Sequence, residues 1–130
     1  MSKWAIAAIG FAAIAVALAF FYFMTADRVY AVDAAATKAE LLKVVPVGSK
    51  VEFARTALEA KGFVCSIEYN KSYADDDGAG KLVTRPKADF LYCDSERRVD
   101  LFVSKRWQVM FPVKDGNVVS VAATVTLTGP

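Results

Sequence analysis

The hydrophobic pattern passes through three regimes along the chain. Trp4 to Met24 (WAIAAIGFAAIAVALAFFYFM) is an uninterrupted apolar run without charge or proline. At a helical rise of about 1.5 Å per residue it is about 30 Å long, enough to span a bilayer. From Ala34 to Val45 the run AAATKAELLKVV is built of helix formers and is stopped by Pro46 and Gly48. A second helix is predicted from about Lys50 to Lys61. Val51, Ala54, Ala57 and Leu58 recur at helical spacing, Ser49-Lys50-Val51-Glu52 has the form of a capping box, and Gly62 supplies a left-handed C-terminal cap.

Beyond Gly62 the period becomes two. Phe63, Cys65, Ile67 and Tyr69 form one alternating set; Trp107, Val109, Phe111 and Val113 form a second; Val119, Val121, Ala123, Val125 and Leu127 form a third. A further strand is expected near Asp89 to Asp94. Val99 to Val103 reads either as a fifth strand or as the start of the one through Trp107. Asp115-Gly116 is a hairpin signal between Val113 and Val118. Pro112 implies an edge or a bulge in its strand. Between Tyr69 and Asp89 the pattern predicts a long polar connection containing Asp75, Asp76 and Asp77, a candidate partner loop. As a calcium loop it fails: with Gly78 at the glycine position, Tyr73 and Thr84 would fall on ligand positions.

The expected fold class is therefore α+β: an N-terminal transmembrane helix, then a two-layer domain of two helices packed on an antiparallel sheet of four or five strands. The organisation reads as an anchor at 1–28, a juxtamembrane helix and linker at 29–48, and an α+β domain at 49–130. Trp107, Phe111, Phe63, Ile67, Leu58 and Val121 are expected to meet between the second helix and the sheet.

The apolar run also admits a cleaved signal peptide, with Val32-Asp33-Ala34 or Ala34-Ala35-Ala36 as cleavage sites. The run exceeds the usual signal core, ends in the aromatic Phe20, Phe21, Tyr22 and Phe23, and precedes Asp27 and Arg28, which favours an uncleaved single-pass anchor. No cysteine follows it to carry a lipid. Ala5, Ala8, Ala12, Ala15 and Ala19 repeat at three and four residues, a stripe along which another helix could approach closely; plain alanine-rich composition accounts for it equally well. The positive-inside balance does not orient the span.

The two cysteines, Cys65 and Cys93, suggest a disulfide, which places the domain in an oxidising compartment such as the periplasm of a bacterial inner membrane. Two reduced buried cysteines in a cytosolic domain are the alternative. Net charge is +2 with mixed signs, so no field that recruits nucleic acid is evident. The 130 residues contain no histidine, which removes the commonest general base and metal ligand, and there is no Ser-x-x-Lys or Gly-x-Ser-x-Gly spacing. The chain reads as non-enzymatic, with no cofactor and no small-molecule substrate.

Pro46-Val47-Gly48-Ser49-Lys50 before a helix, Gly62-Phe63 leading into a cysteine strand, and Trp107 opening a strand before a terminal hairpin resemble the small envelope domains of the BamE (SmpA) and beta-lactamase-inhibitor-protein type, in element order over Asp33 to Gly129. The chain departs from BamE in having an apolar span where that family has a lipidated cysteine, so an outer-membrane role does not carry over. The resemblance implies a binding or scaffolding module. Two functions are expected from these features: an accessory or assembly subunit of an inner-membrane complex, with the lipid bilayer and integral membrane subunits as partners, or a stand-alone anchored binding or inhibitor-like module.

Overall fold

The computed structural model describes residues 28–129, and in them two helices lie on a five-stranded antiparallel sheet. Helix α1 spans Ala34–Val44 and helix α2 spans Val51–Glu59; the strands are β1 (Val64–Asp76), β2 (Leu82–Arg98), β3 (Ser104–Lys114), β4 (Asn117–Val118) and β5 (Ala122–Thr128). β2 pairs with β1 and β3, while the other side of β3 carries β5 and then β4. Trp4–Met24 lies outside the described residues, as do Ala5, Ala8, Ala12, Ala15 and Ala19. Among the described residues no helix is long and apolar enough to cross a membrane.

Both helix ends with recognisable caps are made by side chains or glycine. The Asp33 carboxylate accepts the Ala36 N–H at 2.8 Å and starts α1. Gly62, at φ +97°, closes α2 in a Schellman arrangement, with the Phe63 N–H on the Leu58 carbonyl and the Gly62 N–H on the Glu59 carbonyl. The expected capping box is absent. Ser49 instead donates its hydroxyl to the Pro46 carbonyl, Lys50 occupies the N-cap, and the Val51 N–H is taken by the Gly116 carbonyl. The reason is tertiary: residues 48–50 pair with the β3–β4 hairpin, where Gly48 N–H meets Val118 O and Val118 N–H meets Ser49 O. An orphan helix donor already bonded to that hairpin has no need of the serine.

Asp115 and Gly116, at φ +54° and +80°, form the type I′ turn that their identities predict. Pro112 is accommodated by a break in the neighbouring strand. β5 pairing ends at Met110↔Ala122, β4 pairing begins at Val113↔Val118, and the missing N–H of Pro112 falls in the gap. For the same reason the strand expected through Val119 to Leu127 begins only at Ala122, as β5, and residues 119–121 cross from β4 to it. Val99 to Val103 is neither a strand nor the start of β3 but the turn between β2 and β3.

The core lies between the helices and one face of the sheet. Leu41, Val45, Leu58, Phe63, Leu91, Trp107, Val109, Phe111 and Val118 are buried there with Val29, so residues 29–48 contribute to it. Ile67 is on its rim, 36% exposed, and Val121 is only partly buried. The Tyr30 ring stacks on Phe63 and meets Trp107 edge-on, with centroids 5.1 and 5.0 Å apart. Its hydroxyl donates to the Lys61 carbonyl at 2.6 Å. Trp107 Nε1–H donates to the Ala31 carbonyl at 3.0 Å, so the indole's one polar atom is satisfied inside the core.

Cys65 and Cys93 face each other across β1 and β2 and form a disulfide. With 28 residues of separation the chain-entropy model assigns it about 3–4 kcal/mol. Replacing both cysteines by alanine should lower the free energy of denaturant unfolding by about that amount. Trp107→Ala, which removes the largest side chain from the core and strands the Ala31 carbonyl, should cost about 3–5 kcal/mol in the same measurement. A shift below about 1 kcal/mol for Trp107→Ala would mean that the core does not depend on this contact.

Candidate functional site

The sheet has a second face, which the helices do not cover, and the β1–β2 hairpin folds over it. The region between Tyr69 and Asp89, read from its polarity as a loop, is in fact the outer arm of this hairpin: pairing continues through Tyr73↔Arg85 to Asp76↔Leu82. Polar residues are compatible with these strands because much of the arm is solvent-facing, so the polarity carries no loop signal. Register shifts between Glu68 and Lys71 and between Lys71 and Tyr73 bend the arm. Asn70, at φ +50°, stands in this stretch and gives its N–H to the Asp89 carboxylate at 2.9 Å. Pro86, which has no N–H to offer a ladder, lies on the facing strand at the same level.

The bend delivers Asp75 to the far side of the molecule. Its Oδ1 accepts the Ala123 N–H of β5 at 3.2 Å and lies 2.6 Å from Lys38 Nζ of α1, while Oδ2 takes Arg85 at 3.0 Å. Asp75 is thus a buried ion-pair residue at the free edge of β5, not a loop acid. Burial alone would push its pKa up, but the hydrogen bonds from Lys38, Ala123 and Arg85 outweigh that and hold the carboxyl below its ordinary value. Asp76 and Asp77 shape the turn. The Asp76 carboxylate accepts the N–H groups of Gly78 and Gly80, and that of Asp77 accepts those of Ala79 and Lys81.

Between the folded arm and the sheet runs a groove of about 320 Å³. Its floor is made by Phe90 and Met110, which with Ala122 form a small apolar cluster separate from the main core, and Tyr73 and Tyr92 pack against that cluster. The Tyr73 and Phe90 rings are 5.0 Å apart and tilted. Polar groups in the groove are fixed in a chain: Thr124 Oγ1–H donates to Gln108 Oε1 at 3.2 Å, and Gln108 Nε2–H donates to the Tyr92 hydroxyl at 2.6 Å. Lys71 and Glu68 pair at 2.7 Å on one rim, where the ammonium holds the carboxyl below its usual range. Burial raises the Tyr73 phenol above its ordinary value, with Asp75 adding to the effect, so it enters the groove neutral.

This arrangement can hold an apolar or aromatic group from a partner and offer it an amide and hydroxyls. None of the groove residues was singled out from the sequence. Tyr92, Gln108 and Met110 stand at the positions alternating with the core set, and the signal in hindsight is that three such outward positions, Phe90, Tyr92 and Met110, are large and apolar or aromatic.

The Asp75 clasp should be visible as acid sensitivity. A folded pKa below the unfolded value near 3.9 contributes stability that is complete above that value and is lost as pH falls through the folded pKa. Asp75→Asn should therefore be less stable than the unmodified chain at neutral pH, and the gap in denaturation midpoint should shrink below about pH 4. A gap that stays constant across that range would assign the acid sensitivity to other carboxylates.

No protein-family model matches the chain, and neither a curated protein nor a solved structure shows a significant match to it.

Proposed function

We propose that the chain is a membrane-anchored binding module, an accessory or assembly subunit of an inner-membrane protein complex whose C-terminal domain stands in the periplasm. The observation that carries the reading is the groove: an ordered, partly aromatic recess on the sheet face that the helices leave open, outside the core that folds the domain. Pockets of this kind seat the aromatic and aliphatic anchors through which protein interfaces gain most of their affinity. The Cys65–Cys93 disulfide supports an oxidising compartment. The uncharged run Trp4–Met24 supports an anchor, and its alanine stripe supports close packing against another helix. The order of two helices followed by an antiparallel sheet supports the likeness to BamE-type envelope domains, which act by presenting a surface to a partner. A stand-alone anchored binding or inhibitor-like module is the second reading, favoured by the fact that the groove is complete within one chain.

Purification from membranes in mild detergent separates the two. Tyr73→Ala with Tyr92→Ala should leave the disulfide and the melting transition in place but weaken retention of co-purifying membrane subunits, since truncating an interface anchor costs about 2 kcal/mol, roughly thirtyfold in affinity. Ala12→Leu with Ala15→Leu should keep the protein in the membrane and release the same subunits, whereas Ala13→Leu with Ala17→Leu should do less. Unchanged yields for all three pairs would favour the stand-alone module.

A further inference from the structure

The described chain enters the domain beside the base of the β2–β3 hairpin. The Tyr30 ring lies under the Arg97 guanidinium at 3.5 Å, the Ala31 carbonyl accepts from Trp107, and the Val32 carbonyl accepts from Lys105 Nζ at 2.8 Å. From that level the hairpin projects beyond the start of β1, which pairs with β2 only as far as Val64↔Asp94, while β2 and β3 continue to Arg98↔Ser104. The turn at its tip is ordered: the Val99 and Asp100 N–H groups both bond to the Val103 carbonyl, and the Asp100 carboxylate accepts the Leu101 N–H at 2.6 Å. Yet its side chains face solvent. Val99, Leu101 and Phe102 are 55%, 68% and 70% exposed, and Leu127 and Val32, which flank Lys105, are 69% and 79% exposed. A rigid turn with three large apolar side chains in water is costly unless something covers them.

We propose that this tip is a second, interfacial membrane contact, in which Leu101 and Phe102 enter the headgroup region of the bilayer that holds the anchor. The inference rests on the anchored reading above. Its argument is reach: only Thr25, Ala26 and Asp27 separate Met24, the end of the apolar run, from Arg28, and a chain of that length spans at most about 14 Å. Residues 30–32 cannot therefore stand far from the bilayer surface, and beyond the Arg97↔Lys105 pair that Tyr30 and Val32 touch, the hairpin runs one further pair, Arg98↔Ser104, into its apolar turn. Arg98 and Lys105 at the neck suit anionic headgroups, and an aromatic side chain is at home at that depth. The opposite hairpin, whose tip is the acidic Asp76–Lys81 turn, lies at the other end of the strands and has no such route to the surface.

The test uses the full chain reconstituted in phosphatidylethanolamine–phosphatidylglycerol vesicles, with Trp4→Phe in every sample so that buried Trp107 gives a constant background. Phe102→Trp should add blue-shifted emission that is mostly lost when the acyl chains are brominated. Leu82→Trp, in the acidic hairpin, should add red-shifted emission that bromination leaves unchanged. Vesicle flotation reads the anchor separately. Protein that floats while the Phe102→Trp signal stays red-shifted and unquenched overturns the tip contact alone and assigns the patch to a protein partner. Equal quenching of both probes overturns it too, because the domain would then lie on the membrane without this orientation. Protein that fails to float overturns the anchored reading and the tip contact with it.

Discussion

One buried carboxylate holds the arm of the first hairpin over the open face of the sheet and so shapes the groove. Asp75 sits on β1, but its partners are on α1, β2 and β5, so a single side chain ties the bent arm of the first hairpin to the far edge strand and to the helix beside it. Each contact answers a different liability. The Ala123 N–H is an edge donor that would otherwise be unpaired or open to a foreign strand. Lys38 and Arg85 supply the charge that a buried carboxylate requires. Removing Asp75 leaves Lys38 and Arg85 without their counter-charge, which makes the clasp more sensitive to substitution at this residue than an exposed pair such as Arg55 and Glu59.

This constraint divides labour between the two faces of the sheet. The face toward the helices buries Trp107, Val109, Phe111, Leu91 and the disulfide and supplies most of the stability. The other face would be a flat, half-polar surface without the arm. With it, Phe90, Met110 and Tyr92 become the floor of a recess with Tyr73 as a wall. Asp94 and Arg106, joined by two hydrogen bonds of 2.9 Å on the same face, close off the strands beyond the groove.

Local chemistry was legible in the sequence wherever it acts alone. Gly62 ends α2 and Asp115-Gly116 turns the β3–β4 hairpin because each needs only a backbone at positive φ. The core roles of Trp107, Phe111 and Phe63 follow from period-two alternation, that of Leu58 from helical spacing, and the disulfide from there being two cysteines in the chain. What escaped reading depends on distant partners. Ser49 lost its capping role to a hairpin nearly seventy residues away, and the polar arm of β1 and β2 looked like a loop because its strands face water on one side and a folded-over sheet on the other. Asp75 illustrates the limit: three consecutive aspartates are indistinguishable in sequence, yet one is a buried clasp and two are turn acceptors. Tyr30 and Val29 escaped for another reason, since they follow the apolar run closely and carry no period of their own.

The two long hairpins share β2 and put it to opposite uses. Its first half belongs to an arm whose charges are satisfied internally, by Lys38, Arg85 and the turn N–H groups, and which folds back on the sheet. Its second half belongs to a finger that runs on past β1, flanked by β5 on the β3 side, and leaves the apolar residues of its turn uncovered. Because the strand is continuous from Leu82 to Arg98, the groove and the finger are held at a fixed relation. If the finger meets the bilayer, the groove is held off the surface by roughly the length of the intervening strand, about 20 Å for the six residues from Tyr92 to Arg98. On the anchored reading proposed above, a partner that reached the groove would then be a segment standing above the membrane plane, such as a loop or domain of a neighbouring subunit, with the anchor engaging the same subunit within the lipid. Two contacts on one rigid frame raise the effective concentration of the second once the first is made, so modest affinity at the groove would suffice.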